Sequence, residues 1–210
     1  QLMPRYKIDR EGDDIKSNTE MLLKVAERTN EYIHCADKDS ADGNREVNCS
    51  LELSSYKVTI FQSSADAVDT SLLLYSDVVI IHDPETQGNL TLPIKSNEKD
   101  EEAENAEEVT VEDMDEAIKE AHIHETVITV PKSEGPVDTN SLWIIEAENA
   151  NEKGGPIDFR NEKIRFRHVN SGKYLQLVMD GGSTLLHFTD EADDSATLFL
   201  SSQLYNTDSF

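Results

Sequence analysis

The sequence predicts an all-β fold, a β-trefoil, and three observations predict it. One strand–turn–strand pattern recurs three times along the 210 residues. A further apolar strand follows each recurrence. No single copy can bury its own apolar face, so three must pack together, closing a barrel and capping it with few free edges.

The first copy is "MLLKVAERTNEYIHCA", Met21 to Ala36. The second is "DVVIIHDPETQGNLTL", Asp77 to Leu92, and the third is "KIRFRHVNSGKYLQLV", Lys163 to Val178. Each alternates, breaks at polar turn residues and alternates again, which reads as a β-hairpin. From Leu22, Val78 and Ile164 the second arm arrives at Ile33, Leu90 and Leu175, at offsets of 11, 12 and 11 residues. The closing strands are "YKVTIF" from Tyr56, "SLWIIEA" from Ser141 and "ATLFLS" from Ala196. Anchor to closing strand spans 36 residues in copy one (Leu22 to Val58), 66 in copy two (Val78 to Ile144) and 35 in copy three (Ile164 to Phe199). The expected organisation is one domain over 1–210, with repeats at about 16–62, 75–148 and 160–202.

The extra length of copy two falls at an acidic insertion, 96–124. Residues 96–120 hold twelve acidic and two basic side chains, −10 of the chain's −24. Its first part has almost nothing to bury. Beyond it, Val111, Met114, Ile118 and Ala121 recur at helical spacing, and Thr110 can cap the amide of Asp113. A loop followed by a short helix is therefore expected. The insertion lacks the D-x-[DN]-x-[DN]-G pattern of a calcium loop and reads as a solvated face.

The net charge of −24 excludes nucleic acid and anionic membrane surfaces as general partners. No run is long and apolar enough to span a bilayer, and no signal-peptide pattern opens the chain. The opening Gln1 reads as the start of a fragment. Cys35 and Cys49 read either as free thiols in a cytosolic protein or as a pair in a secreted one. No metal site is expected, because no C-x-x-C or Cys/His cluster is present, and no cofactor is expected. Asn48-Cys49-Ser50 and Asn89-Leu90-Thr91 match the glycosylation sequon. No G-x-S-x-G, H-E-x-x-H or Walker loop is present, so a binding module is expected over an enzyme. His34, His82 and His168 lie at related points of the three copies. Each is expected to bond or pack within its own copy, because pseudosymmetry sets them apart. Lys163, Arg165 and Arg167 alternate, so they share one strand face, and Ile164, Phe166 and Val169 should turn inward. These cations read as partners of nearby carboxylates or as contacts for a neighbouring domain or ligand phosphates.

"FRHVNSGKYLQL" resembles the R-x-x-H-x-x-(T/S)-G-x-Y-L core of the MIR motif, shared by inositol trisphosphate receptors, ryanodine receptors and protein O-mannosyltransferases. Longer stretches resemble the receptors: "NREVNCSLELSSYKVTIF", "SDVVIIHDPETQGNLTL", "NSLWIIEAEN" with the glycine pair that follows, and the opening "LMPRYKIDREGDDI". The resemblance implies an MIR-type β-trefoil, the β half of the ligand-binding core of a tetrameric intracellular calcium-release channel. It implies a position on the cytosolic face of the endoplasmic reticulum or another store. The implied partners are neighbouring channel domains and subunits, with no direct membrane contact. The family's trefoil meets inositol trisphosphate through a basic R-T-T-G-R loop. Aligned back from "SLW", that loop falls on "TVPKSEG", where Thr129, Lys132, Ser133 and Gly135 are the nearest equivalents. The paired arginines are missing and Glu134 adds repulsion. Inositol trisphosphate binding is therefore expected to be weak or absent. Two further readings remain: an MIR domain of an O-mannosyltransferase-like protein facing the lumen of the endoplasmic reticulum, and a protein-interaction module that uses the acidic helix.

Overall fold

Alternating burial makes the strands. In the computed structural model the described residues are 13–26, 31–39, 44–64, 71–93, 128–131, 136–148, 155–159, 163–180, 183–192 and 198–202. Among them run twelve strands in three sets of four. The first set is β1 (Thr19–Val25), β2 (Tyr32–Asp39), β3 (Arg45–Ser50) and β4 (Ser55–Gln62). The second is β5 (Val78–Asp83), β6 (Gly88–Thr91), β7 (Ile128–Pro131) and β8 (Leu142–Ala147). The third is β9 (Ile164–His168), β10 (Tyr174–Asp180), β11 (Ser183–Thr189) and β12 (Leu198–Ser202).

Six of these strands close on themselves. β1 pairs with β4, β4 with β5, β5 with β8, β8 with β9, β9 with β12 and β12 with β1, all antiparallel. The other six form three hairpins, β2–β3, β6–β7 and β10–β11. Each hairpin is joined to the first strand of its own set, and β3 also pairs with β7. This is a β-trefoil, a six-stranded barrel with three hairpins.

Register stacks the barrel core in two layers. In one, Met21 faces Tyr56, Val79 faces Trp143 and Ile164 faces Leu198. In the other, Leu23 faces Leu200, Ile81 faces Val58 and Phe166 faces Ile145. None of the twelve is more than 1% exposed. Burying an aliphatic or Phe side chain of this size is worth roughly 1.5–3 kcal/mol, so these layers supply much of the folding drive. A third tier crosses three segments that lie far apart in the chain. The Ile15 amide donates to the Ile157 carbonyl at 2.8 Å, that of Ile157 to Leu73 at 3.0 Å, and that of Leu73 to Ile15 at 2.8 Å. This closed ring of hydrogen bonds plugs the barrel with three side chains that are 0% exposed.

Each set has one more strand than the sequence pattern showed. β3, β7 and β11 return from the hairpin tips. Their segments are short or mixed in composition, and pairing within the hairpins holds them. The acidic insertion falls between β6 and β7 in the sequence, and its expected helix lies outside the described residues. Ile164 and Phe166 turn inward as expected, but Val169 does not: it is 38% exposed, and His168 takes the inward position at 0%. This is the strand's own alternation, since 164, 166 and 168 share one face and 169 falls on the other, and the Val169 amide donates to the Leu142 carbonyl at 3.0 Å.

Candidate ligand-binding site

The turn after β9 is held by its histidine. His168 Nε2 lies 3.0 Å from the Asn140 carbonyl oxygen, which can only accept, so Nε2 carries the proton. Nδ1 is then an acceptor. The Ser171 amide donates to it at 3.2 Å, and the Ser171 hydroxyl lies 3.0 Å away. Gly172 follows at φ 73°, a conformation that a side chain disfavours. Its amide donates to the His168 carbonyl at 2.8 Å. The ring also packs 5.1 Å from Trp143, whose Nε1–H donates to the Leu90 carbonyl at 3.0 Å. Histidine, serine and glycine at this spacing therefore build a turn. In the second set Asp83 does the same work, accepting from the Glu85 amide at 2.9 Å and from the Thr86 hydroxyl at 2.8 Å.

The basic face of β9 meets carboxylates. Arg167 reaches Glu146 Oε1 through Nε at 2.8 Å and through Nη2 at 2.7 Å. Tyr174 donates its hydroxyl to the other oxygen of Glu146 at 2.9 Å, and burial and that carboxylate push its pKa up from 10.0. Lys163 Nζ lies 3.3 Å from Glu148 Oε1, and Arg165 donates to the Glu148 carbonyl at 3.1 Å. Cross-strand pairing places these partners together, since Arg165 faces Glu146 and Arg167 faces Ile144 across β8 and β9.

Of the residues aligned with the basic ligand loop, Thr129 lies in β7, where its backbone pairs opposite Leu90 and Arg45. Lys132, Ser133 and Gly135 lie outside the described residues.

A different surface offers a cavity. Odd-numbered residues of the β2–β3 hairpin face inward, with Ile33 at 0%, Cys35 at 5% and Val47 at 1% exposure. On the other face His34 pairs opposite Asn48. There they line an open groove of about 440 Å³ with Ala36, Glu46, Cys49, Ser50 and Glu52. His34 holds one wall: its Nδ1 is 2.9 Å from the Ser54 hydroxyl and its Nε2 is 3.5 Å from Glu52 Oε2. His82 is engaged separately, by Asn89 Oδ1 at 3.0 Å. The three related histidines thus each bond within a local network, and no set of three or more metal-ligating side chains occurs among the described residues. Cys35 and Cys49 are free thiols. Sequence reasoning noted His34 but missed Glu46, Asn48, Ser50 and Glu52. The signal was the alternation of "REVNCS", which puts Glu46, Asn48 and Ser50 on one face.

A family model for the MIR domain matches residues 101–208. The chain belongs to the MIR domain family. The His168-Ser171-Gly172-Tyr174 turn lies inside the matched stretch. Solved structures with the same fold include an S. cerevisiae protein O-mannosyltransferase Pmt1-Pmt2 complex bound to the sugar donor, at 14% identity and a TM-score of 0.63. That alignment covers 98% of this chain and 28% of the other. An SDF2-like protein from Arabidopsis thaliana aligns at 13% identity and a TM-score of 0.59, over 90% of this chain and 95% of its own. At these identities the likeness is one of fold. No curated protein matches the chain by sequence.

Proposed function

We propose that this MIR trefoil is a non-catalytic binding module of an O-mannosyltransferase-like protein, facing the lumen of the endoplasmic reticulum. The reading sets aside the ligand core of a calcium-release channel. The observation that carries it is the state of the basic β9 face. A trisphosphate needs uncompensated cations, and Lys163 and Arg167 already lie against Glu148 and Glu146. The net charge of −24 acts in the same direction. The likeness to the trefoil of an O-mannosyltransferase complex, over 98% of this chain, supports the choice between the family's branches.

Protease protection tests the placement. Sealed microsomes from cells expressing the full-length protein, with an epitope tag beside this domain, are treated with protease. The tag should survive until detergent is added. Digestion without detergent would restore the cytosolic reading.

A further inference from the structure

We propose that the groove on the outer face of the β2–β3 hairpin binds a lysine or arginine side chain from a basic segment of a partner polypeptide. This inference deepens the reading of the chain as a binding module and names the chemistry of what is bound.

The groove is built to accept hydrogen bonds. Two carboxylates, Glu46 and Glu52, stand at its walls, with the Ser50 hydroxyl and the Asn48 amide between them. No lining residue is a lysine or arginine. Among the described residues Glu46 has no ion pair, unlike Glu146 and Glu148 on the β9 face. Asn48 adds an independent pointer. Its Oδ1 is buried and accepts no hydrogen bond. A buried acceptor left unpaired is costly, and a donor entering the groove recovers that cost. The Ser50 hydroxyl already accepts the Glu52 amide at 3.0 Å, which fixes the loop that carries the second carboxylate.

The groove's shape suits a long cationic side chain. The volume lies within the range of small-ligand clefts, ~300–1,000 Å³. Ala36 leaves room at the floor, because the other outward residues are larger. Beside Glu52 in the chain, Leu51 is 72% and Leu53 51% exposed. Lysine and arginine lay their methylene stems on such surfaces while their charged heads reach carboxylates. An anionic or purely apolar occupant would leave Glu46 and Asn48 without partners. The field of a chain at −24 also steers a basic segment toward its surface.

The test titrates an N-acetylated, C-amidated hexalysine peptide into the full 210-residue chain at low ionic strength, followed by amide NMR. Three proteins are compared: the unaltered chain, a Glu46→Gln/Glu52→Gln variant, and a chain lacking 96–124. The expected result is saturable shifts at His34, Ala36 and Asn48. Affinity should fall about tenfold in the double variant, and the same shifts should persist without the acidic insertion. Both substituted side chains are exposed, so the variant's own spectrum should report an intact fold. Shifts that spare the groove, a double variant that binds like the parent, or groove shifts that vanish with 96–124 would each overturn the proposal. Such failure would leave the lumenal reading standing, because protease protection reads that independently.

Discussion

Replacing His168 with alanine tests the account of the MIR turn. The ring is 0% exposed. The substitution removes the bond from Nε2 to the Asn140 carbonyl and the acceptor for the Ser171 amide and hydroxyl. The Asn140 carbonyl keeps the Leu92 amide as a donor at 3.0 Å, so it is not orphaned. Three bonds at about 1 kcal/mol each, and about 1 kcal/mol for lost ring packing on Trp143, give a loss of about 4 kcal/mol. That is a large share of the ~5–15 kcal/mol that holds a typical domain. Urea unfolding should show a lower midpoint at unchanged slope. Ser171→Ala keeps the amide-to-Nδ1 bond and should cost about 1 kcal/mol. In the double variant the two losses should fall short of additivity by about 1 kcal/mol, because both act through one contact. A His168→Ala loss under ~1 kcal/mol, or strict additivity, would refute the reasoning that histidine and serine build the turn together.

Other consequences follow from the same geometry. Tyr56 is 0% exposed and its hydroxyl has no hydrogen-bond partner, so Tyr56→Phe should leave the chain as stable or raise its stability by about 1 kcal/mol in urea unfolding. Burial first, and then the nearby Cys35 and Asp83, push the Tyr56 pKa well above 10.0. Because the folded state holds this proton more tightly, its contribution is full below pH 10 and should be lost as the pH rises further, measured as alkaline unfolding that Tyr56→Phe makes less steep. Gly172→Ala forces a side chain into φ 73° with open space around it, so the cost should be backbone strain alone, about 1–2 kcal/mol by thermal or urea melts. Ile15→Ala removes one corner of the plug and should cost about 2–5 kcal/mol, the range for a buried large-to-small change.

Short-range patterns were the legible part of this fold. The three hairpin motifs and their closing strands read directly because turn residues and alternation lie within a dozen positions of one another. The His-x-x-Ser-Gly turn read as a motif for the same reason, although its chemistry needed Asn140, 28 residues earlier. The plug of Ile15, Leu73 and Ile157 was hidden, since it joins three segments that share no local pattern. β3 and β7 were hidden too, β7 by its four-residue length and β3 because Val47 and Cys49 alone make its inward apolar face. Val169 was misplaced because its apolar character was weighed over its parity, which sets it with Lys163, Arg165 and Arg167 on the outer face. The groove was the hardest to see. Glu46, Asn48 and Ser50 look like an ordinary solvated strand face until the β2–β3 register sets them beside His34 and Ala36.

The most direct test of the central claim is calorimetric titration of inositol trisphosphate into the full-length protein. The account holds that Lys163 and Arg167 of the basic β9 face are already paired with Glu148 and Glu146 within the trefoil, so it predicts no saturable heat at millimolar ligand. Saturable binding at micromolar ligand, weakened by Arg167→Ala, would contradict it and return the chain to the channel branch of the family.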